Sequence, residues 1–462
     1  MNLAEKNLLK LEEEINNIID QLKELSSIDD TQKQEAKSKQ QSANDLSKRL
    51  ADLFEAKSHQ KQILSESMKD KIDELLKSYP KKTLFKEYRS TNVMYCNGNR
   101  IKIYSPYYLI KGAGKKKNKS LMPAIMILGI YKFCAEDMCS YISKLCSALS
   151  SYDEVVKLLK VKGVYLNVKT VVSIAKQMAL RARLAQKADD YVVNISNAKT
   201  LVISMDGGRV RTREIKRGPK TTKKRNRYNG QWREVKLFVI YLVDENGDKI
   251  KQELPIIDGM IGSPDAVFSM LKSYLSKIDL NSFDNIVFIA DGAPWIWKRA
   301  KNLILSLGVS EESYTEILDY FHAMEHLNKL AKALFKSPKD QTKWVKKCKK
   351  LLLNGDANKF IDEIKLVTHK KTGKKVTKEK NYFLKNTHRL DYYNAKANGL
   401  PLGSGSIESS IRRVVNLRMK GNSIFWKHQS ANDMIFLRSF YKSGRWNDLE
   451  DMAYKGGLKL AS

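Results

Sequence analysis

Three acids stand out by what surrounds them. Asp206 ends the apolar run "TLVISMDGG", Asp291 ends "NIVFIADGA", and Glu408 heads the basic stretch "GSGSIESSIRRVVNLRMKGNSIFW". Both aspartates read as strand-terminal carboxylates, each followed by a glycine that lets the backbone turn and leaves the acid open. Functional groups of α/β sheets collect at such carboxyl ends. Glu408 reads as the second residue of a helix capped by Ser406, beside the apolar face of Ile407, Ile411 and Val414. Converging carboxylates repel and raise one another's pKa, so they need a reason to converge. A divalent cation supplies it: Mg²⁺ or Mn²⁺ takes a few carboxylates and keeps other positions for water and phosphate oxygens. Two such ions about 3.5 to 4 Å apart can activate a nucleophile and stabilise a leaving oxygen in phosphoryl displacement. The bases after Glu408, namely Arg412, Arg413, Arg418 and Lys420, are then candidate phosphate contacts. The competing reading of Glu408 is a first-turn acid favoured by the helix macrodipole.

Bulk charge points the same way. The chain of 462 residues has 84 Lys+Arg against 51 Asp+Glu, a formal excess of 33 positive charges. An imbalance of that size in a folded chain favours a polyanionic partner, and nucleic acid is the default. "RVRTREIKRGPKTTKKRNRYNGQWR", from Arg209 to Arg233, holds eleven Lys/Arg and one acid, with Tyr228 and Trp232 interleaved. It reads as a loop between two strands that tracks phosphates through Arg209, Arg211, Lys223, Lys224, Arg225 and Arg227. With no apolar run of spanning length and no signal peptide, a cytoplasmic, nucleoid-associated protein without membrane contact is expected. Cys96, Cys134, Cys139, Cys146 and Cys348 form no C-x-x-C pair and read as reduced thiols, mostly buried.

The elements that must position these groups follow from periodicity. Leu8, Leu11, Ile15, Ile18, Leu22 and Leu25 step by three and four, an a/d seam that predicts a helical arm over 1–79. That arm either folds back as a hairpin or pairs two chains. Residues 80–195 read as short strands around an Asn-Gly turn, then a helix-turn-helix-like pair with a capping box at Ser151 and Glu154, Gly163 in the turn and an Asn167 cap. Over 196–330 three strands, a helix opened by Ser263 and Pro264, and strand-helix-strand give the order of an RNase H-like mixed sheet. A lysine-rich helical insertion over 331–399 precedes the last catalytic helix over 400–426, and closing helices fill 427–462. The fold class expected is therefore α/β.

"MDGGRVRTRE", "REVKLFVIY", "ADGAPWIW", "DYFHAMEHL" and "GSGSIESSIRRVVNLRMKG" occur in an order that resembles bacterial insertion-sequence transposases of the DDE class, similar to the ISKra and ISLre types. The resemblance covers roughly residues 200–426. It implies that Asp206, Asp291 and Glu408 are the metal-binding triad for two Mg²⁺ or Mn²⁺ ions. Asp319 and His322 match a D-x-x-H element that lies near the active site. It further implies a protein that binds element ends and target DNA as a homodimer or higher oligomer, cleaves, and joins the freed 3′-hydroxyl to target. Some relatives carry upstream cysteine pairs; here Tyr107 and Tyr108 stand in a comparable setting, so no zinc module is expected. Two alternatives stay open: an RNase H-like nuclease without strand transfer, and a domesticated DNA-binding protein without activity. His322, Glu325 and His326 also fit the H-x-x-E-H pattern of inverted zinc peptidases.

Overall fold

The computed structural model describes residues 1–27, 33–80, 83–110, 118–187, 198–222, 224 and 226–455. The chain splits into two compact units, Met1–Tyr191 with Asn447–Ser462, and Val192–Trp446. Among the described residues no helix is long and apolar enough to cross a membrane.

The amino-terminal unit opens with helices α1 (Leu3–Ser27), α2 (Lys33–Leu64) and α3 (Glu66–Leu76). Asn2 caps α1 by accepting the amide N–H groups of Ala4 and Glu5, while Glu5 reaches back to the Asn2 N–H. The heptad seam is closed within the chain: Leu11, Ile15 and Ile18 are buried in one cluster with Leu53, Ala56 and Ile63 of α2. Of the two arrangements the periodicity allowed, the hairpin forms, because α2 presents its own apolar stripe within reach.

Strands β1 (Thr83–Met94), β2 (Arg100–Ile110) and β3 (Lys119–Leu121) make an antiparallel sheet in that order. The β1–β2 turn contains Gly98 at φ +95°, as an Asn-Gly turn requires. Buried Asp52 on α2 accepts both the backbone and the side-chain N–H of Asn97 and of Asn99, so one carboxylate ties the turn to the helix. Helices α4 (Pro123–Ile127), α5 (Glu136–Ala148), α6 (Tyr152–Val161) and α7 (Val168–Lys187) follow. Ser151 caps α6 through the Glu154 N–H, Gly163 turns at φ +78°, and Asn167 caps α7 through the Thr170 N–H, all as the sequence predicts.

The second unit is built on strands β4 (Thr200–Ile215), β5 (Tyr228–Val243), β6 (Ile256–Met260), β7 (Asn285–Ala290) and β8 (Tyr314–Leu318). Their order is β6-β5-β4-β7-β8; β4, β5 and β6 run antiparallel, while β4, β7 and β8 run parallel. Helix α8 (Pro264–Leu275) lies between β6 and β7, with Ser263 as its cap and Pro264 first. Helices α9 (Pro294–Trp297) and α10 (Ala300–Leu305) lie between β7 and β8. The central strands are buried without interruption over Leu201–Met205, Val235–Val243 and Ile286–Ala290, the pattern of a sheet covered on both faces.

After β8 come α11 (Tyr320–Leu334) and the helices α12 (Pro338–Leu353), α13 (Ala357–Val367), α14 (Lys374–Lys385) and α15 (Tyr392–Ala397). Then follow α16 (Gly405–Ser410), a π-helical turn over Ile411–Asn416, α17 (Leu417–Met419), α18 (His428–Ser443) and α19 (Trp446–Glu450). The four cysteines Cys134, Cys139, Cys146 and Cys348 are buried, Cys96 is half-buried, and all are free thiols.

The basic stretch after Asp206 differs from the expected loop. Both strands run on through it, pairing from Thr200↔Val243 out to Ile215↔Tyr228, so residues 209–215 and 228–233 form a projecting two-stranded ribbon. Arg209, Arg211 and Arg213 line one face of this strand while Val210 and Thr212 are buried on the other, and the run of positive charge disguised the strand as a loop.

Glu55 of α2 is the odd group of the first unit. One of its oxygens is buried without a hydrogen-bond partner, and burial, reinforced by Asp137, Asp52 and Glu136, pushes its carboxyl up to about 8. The unfolded chain ionises Glu55 near its ordinary value, so its contribution to stability is present at low pH and is lost as pH rises toward 8. Glu55→Gln should remove that loss. Urea midpoints compared with wild type should coincide near pH 5 and favour the variant at pH 8.5, by on the order of 1 to 2 kcal/mol after screening by solvent.

Candidate active site

Parallel register brings three aspartates to one edge. Met205, Ala290 and Leu318 form one paired row across β4, β7 and β8, and the next residue of each strand is Asp206, Asp291 and Asp319. Neighbouring strands lie about 4.8 Å apart, so the three carboxylates emerge side by side.

Each is held differently. Asp206 accepts its neighbour's amide, Gly207 N–H to Oδ1 at 2.5 Å. Asp291 accepts the Ala293 N–H at 3.0 Å, and its carbonyl takes the Trp297 indole N–H at 2.6 Å. Asp319 is fully buried. Its Oδ1 caps α11 through the His322 N–H at 2.8 Å, and its Oδ2 accepts the Ser404 N–H at 2.5 Å and the Ser404 hydroxyl.

The fourth acid arrives on α16. Its helix places buried Ile407 against the core, as the apolar face predicted, and leaves Glu408 half-exposed with Oε1 3.3 Å from His322 Nε2. The expected cap is corrected: Ser404, not Ser406, precedes the helix, and Glu408 is its fourth residue. Ser404 spends its hydroxyl on Asp319, so one serine ties the end of β8 to the start of α16. A cavity of about 560 Å³ opens here, lined in part by His322, Glu325, Gly403, Gly405 and Glu408.

Electrostatics record the crowding. The Asp206 carboxyl is pushed up to about 6, first by burial and then by Asp291 and Glu408, against the pull of the Gly207 N–H and His322. Asp291 is raised as well, by burial first, with Asp319 adding to it. Asp319, His322 and Glu408 offer ligand atoms within 4.8 Å of one another and could hold a metal ion. Of these, Asp319 has both oxygens already engaged by three donors, which suits a cap better than a ligand. Asp206 and Asp291 each accept one backbone N–H, and among the described residues neither joins Glu408 in a group of that spacing.

The turn expected from sequence at the glycines after the two aspartates does not form: Gly207 and Gly292 have no positive φ, and Gly207 continues strand β4. Gly292 allows close approach instead: a Cβ there would lie 2.2 Å from the Tyr382 ring. Tyr382 comes from α14, so the helical insertion covers Asp291. Its ring stacks on His326 at 3.7 Å. A second cavity of about 550 Å³ lies on that side, with Trp297, Lys298, Lys378, Tyr382 and Lys385 in its wall.

His326 pairs with Glu379 and stacks on Tyr382, while His322 turns to Glu408. The two histidines of the H-x-x-E-H pattern are therefore engaged separately. Among the predicted phosphate contacts, Arg209, Arg412 and Lys420 are exposed, and Arg413 is half-buried with N–H groups toward the Ser409 and Lys442 carbonyls. Lys224 and Arg227 lie in the turn of the ribbon; Lys223 and Arg225 lie outside the described residues. Arg418 departs from expectation: it is buried with its guanidinium 5.3 Å over Trp426, because the π-helical turn rotates it inward.

Sequence reasoning missed Arg438. From α18 its buried guanidinium donates to the carbonyls of Val414, at 2.7 Å, and Arg413, both within the π-helical turn. A π turn loosens the regular i→i+4 ladder, and the guanidinium takes up the carbonyls it frees. The one legible signal was an arginine inside the apolar run "DMIFLRSFY".

No protein-family model matches the chain, and no curated protein does. Among solved structures it is similar to one titled "Drosophila P element transposase strand transfer complex", at 12% identity over 70% of this chain and 82% of that chain, with a TM-score of 0.25. A likeness that low leaves the site to be read from its own residues.

Two substitutions separate the roles. Asp319→Ala should lower metal-free stability by about 1 to 3 kcal/mol in urea, the cost of a lost cap and unpaired donors, whereas a pure ligand would leave metal-free stability unchanged. Arg438→Met should leave the carbonyls of the π turn unpaired. The expected result is a similar stability loss together with weaker Mn²⁺ binding by calorimetry, and Arg438→Lys should recover part of both.

Proposed function

We propose that this chain is a DDE-class transposase whose catalytic domain is RNase H-like. It would bind the ends of a mobile DNA element, cleave with two Mg²⁺ or Mn²⁺ ions, and join the freed 3′-hydroxyl to target DNA. The observation that supports the reading is that Asp206 and Asp291 stand one step past a shared strand row, while Glu408 on α16 lies 3.3 Å from His322 and helps to raise the Asp206 pKa. The sheet order, three antiparallel strands followed by two parallel ones, is what an RNase H-like domain has.

Divalent ions held by Asp206, Asp291 and Glu408 would activate the nucleophile and stabilise the leaving oxygen. His322 orients Glu408 through the contact at 3.3 Å, and Asp319 holds the start of α11 and, through Ser404, the approach to α16. The ribbon bearing Arg209 and Arg211, with Arg412 and Lys420, carries charge to neutralise backbone phosphates. In this reading the α6–α7 pair of residues 80–195 contacts element ends, and the insertion over 331–399 covers one side of the catalytic edge. Pairing of two copies belongs to the reading because an element has two ends; the heptad seam, closed within the chain, does not contribute to it.

Asp206→Asn, Asp291→Asn and Glu408→Gln are each expected to lower Mg²⁺-dependent cleavage of an end-containing duplex by a factor of about 10³ or more, without additivity in the double variants. Mn²⁺ affinity should fall in each while DNA binding persists. Glu408→Gln activity within about threefold of wild type would remove Glu408 from the site, since a helix-dipole role is worth only about 0.3 to 1 kcal/mol. Cleavage without joining of 3′-hydroxyl ends would favour the nuclease alternative, and DNA binding without either reaction would favour the inactive one.

A further inference from the structure

One face of the projecting ribbon bears aromatic rings that no core claims. Arg211 pairs directly across from Trp232, Arg213 from Gly230 and Ile215 from Tyr228, so these residues share a face. Trp232 is 58% exposed and Tyr228 45%. Single exposed apolar residues need no explanation, but a contiguous row of them does.

The row is built rather than incidental. Phe425 enters it from outside the hairpin, where the segment around Trp426 adds to the free edge of β4. The Trp426 N–H donates to the Arg211 carbonyl at 2.9 Å, and the Arg213 N–H donates to the Trp426 carbonyl at 2.8 Å. Trp426 is itself buried and donates its indole N–H to the Met419 carbonyl. Gly230 makes the space for Phe425: a Cβ there would stand 3.0 Å from the ring.

The Arg211 guanidinium then lies 5.4 Å from the Trp232 ring and 4.7 Å from Phe425, and Arg213 lies 5.8 Å from Tyr228. Tyr228 and Phe425 are 5.3 Å apart, tilted by 58°. Arg211 also donates to the Gly421 carbonyl, which fixes its plane. Rings and guanidinium planes thus follow one another along the face in the order Trp232, Arg211, Phe425, Tyr228, Arg213, with the rings Phe425 and Tyr228 side by side.

We infer that this face is a stacking ladder for the unpaired bases of a single DNA strand leaving the active site. Charge selects the partner class, since residues 209–233 carry eleven Lys/Arg and one acid, whereas cores of protein interfaces are depleted in lysine and acids alike. Base faces are free only in an unpaired strand, and stacking on aromatic and guanidinium planes is tolerant of sequence. Position selects the strand. Arg211 follows Asp206 by five residues on the same strand, β4, a span of about 17 Å that an unpaired strand bridges in a few nucleotides.

The inference rests on the proposed DNA-cleaving function, and its test keeps the two apart. Full-length protein is titrated in EDTA with a fluorescent 15-nucleotide oligothymidylate and, separately, with a blunt duplex. Trp232→Ala and Phe425→Ala are expected to weaken oligothymidylate binding tenfold or more, and duplex binding by no more than about twofold. Trp232→Phe, which retains a ring, should recover most of the loss. Arg211→Lys, which keeps the charge but not the plane, should weaken binding of the oligonucleotide without changing its salt slope. Indole emission should be quenched by the oligonucleotide in wild type and much less in Trp232→Phe. Equal losses on single strand and duplex, or quenching by anionic lipid vesicles but not by oligothymidylate, would overturn the ladder. A chain that shows the ladder behaviour yet never cleaves in Mg²⁺ would sink the transposase reading alone.

Discussion

Like charges resist being brought together, and the unit of residues 192–446 is arranged around holding several of them at one sheet edge. Parallel pairing of β4, β7 and β8 leaves Asp206, Asp291 and Asp319 in adjacent positions whatever their mutual repulsion. Burial of apolar strands on both faces supplies the stabilisation against which that repulsion acts. The cost is divided by giving each acid different partners. Asp319 is saturated by N–H and hydroxyl donors and acts as structure, whereas Asp206 is left with a single local amide and a raised pKa. An acid with unspent lone pairs in a buried, electron-rich setting is what a hard cation relieves.

Everything packed over that edge follows from the need to approach it closely. Gly292 admits the Tyr382 ring, and Ile411, on the helical segment that brings Glu408, packs on Gly208 at an ordinary contact distance. The same helix contains a π turn, a feature often found where a side chain must be re-aimed, and Arg438 stabilises it from a neighbouring helix. Ser404 joins the two halves of the site by serving Asp319 instead of its own helix. The site is thus assembled from a strand row, a linking serine and a buried arginine, and only the first of these is local in sequence.

The ribbon extends the same logic outward. Strand β4 carries Asp206 near its middle, just past the buried run, and the arginine and aromatic face toward its exposed end, so one continuous backbone links the acids to that exposed surface. Edge pairing with Trp426 stiffens that projection and returns the chain toward α18.

Local pattern alone determined the elements and the acids. Uninterrupted apolar runs marked β4, β5 and β7, Ser263 with Pro264 marked the start of α8, and Ser151, Gly163 and Asn167 marked the α6–α7 pair, because caps and turns depend on a few neighbouring residues. Asp206, Asp291, Asp319, His322 and Glu408 were legible as candidates because strand ends and helix starts are predictable positions for reactive side chains, although Asp206 lies inside β4, which runs on to Ile215. Tertiary structure alone decided what depends on distant partners. It made Ser404 the residue before α16 by pairing it with Asp319, turned Arg418 inward onto Trp426, and drew the basic stretch into paired strands. It also closed the heptad seam inside the chain and laid Phe425 over Gly230. Each of these contacts joins residues far apart in the chain, and one-dimensional periodicity has no access to the packing that selects them.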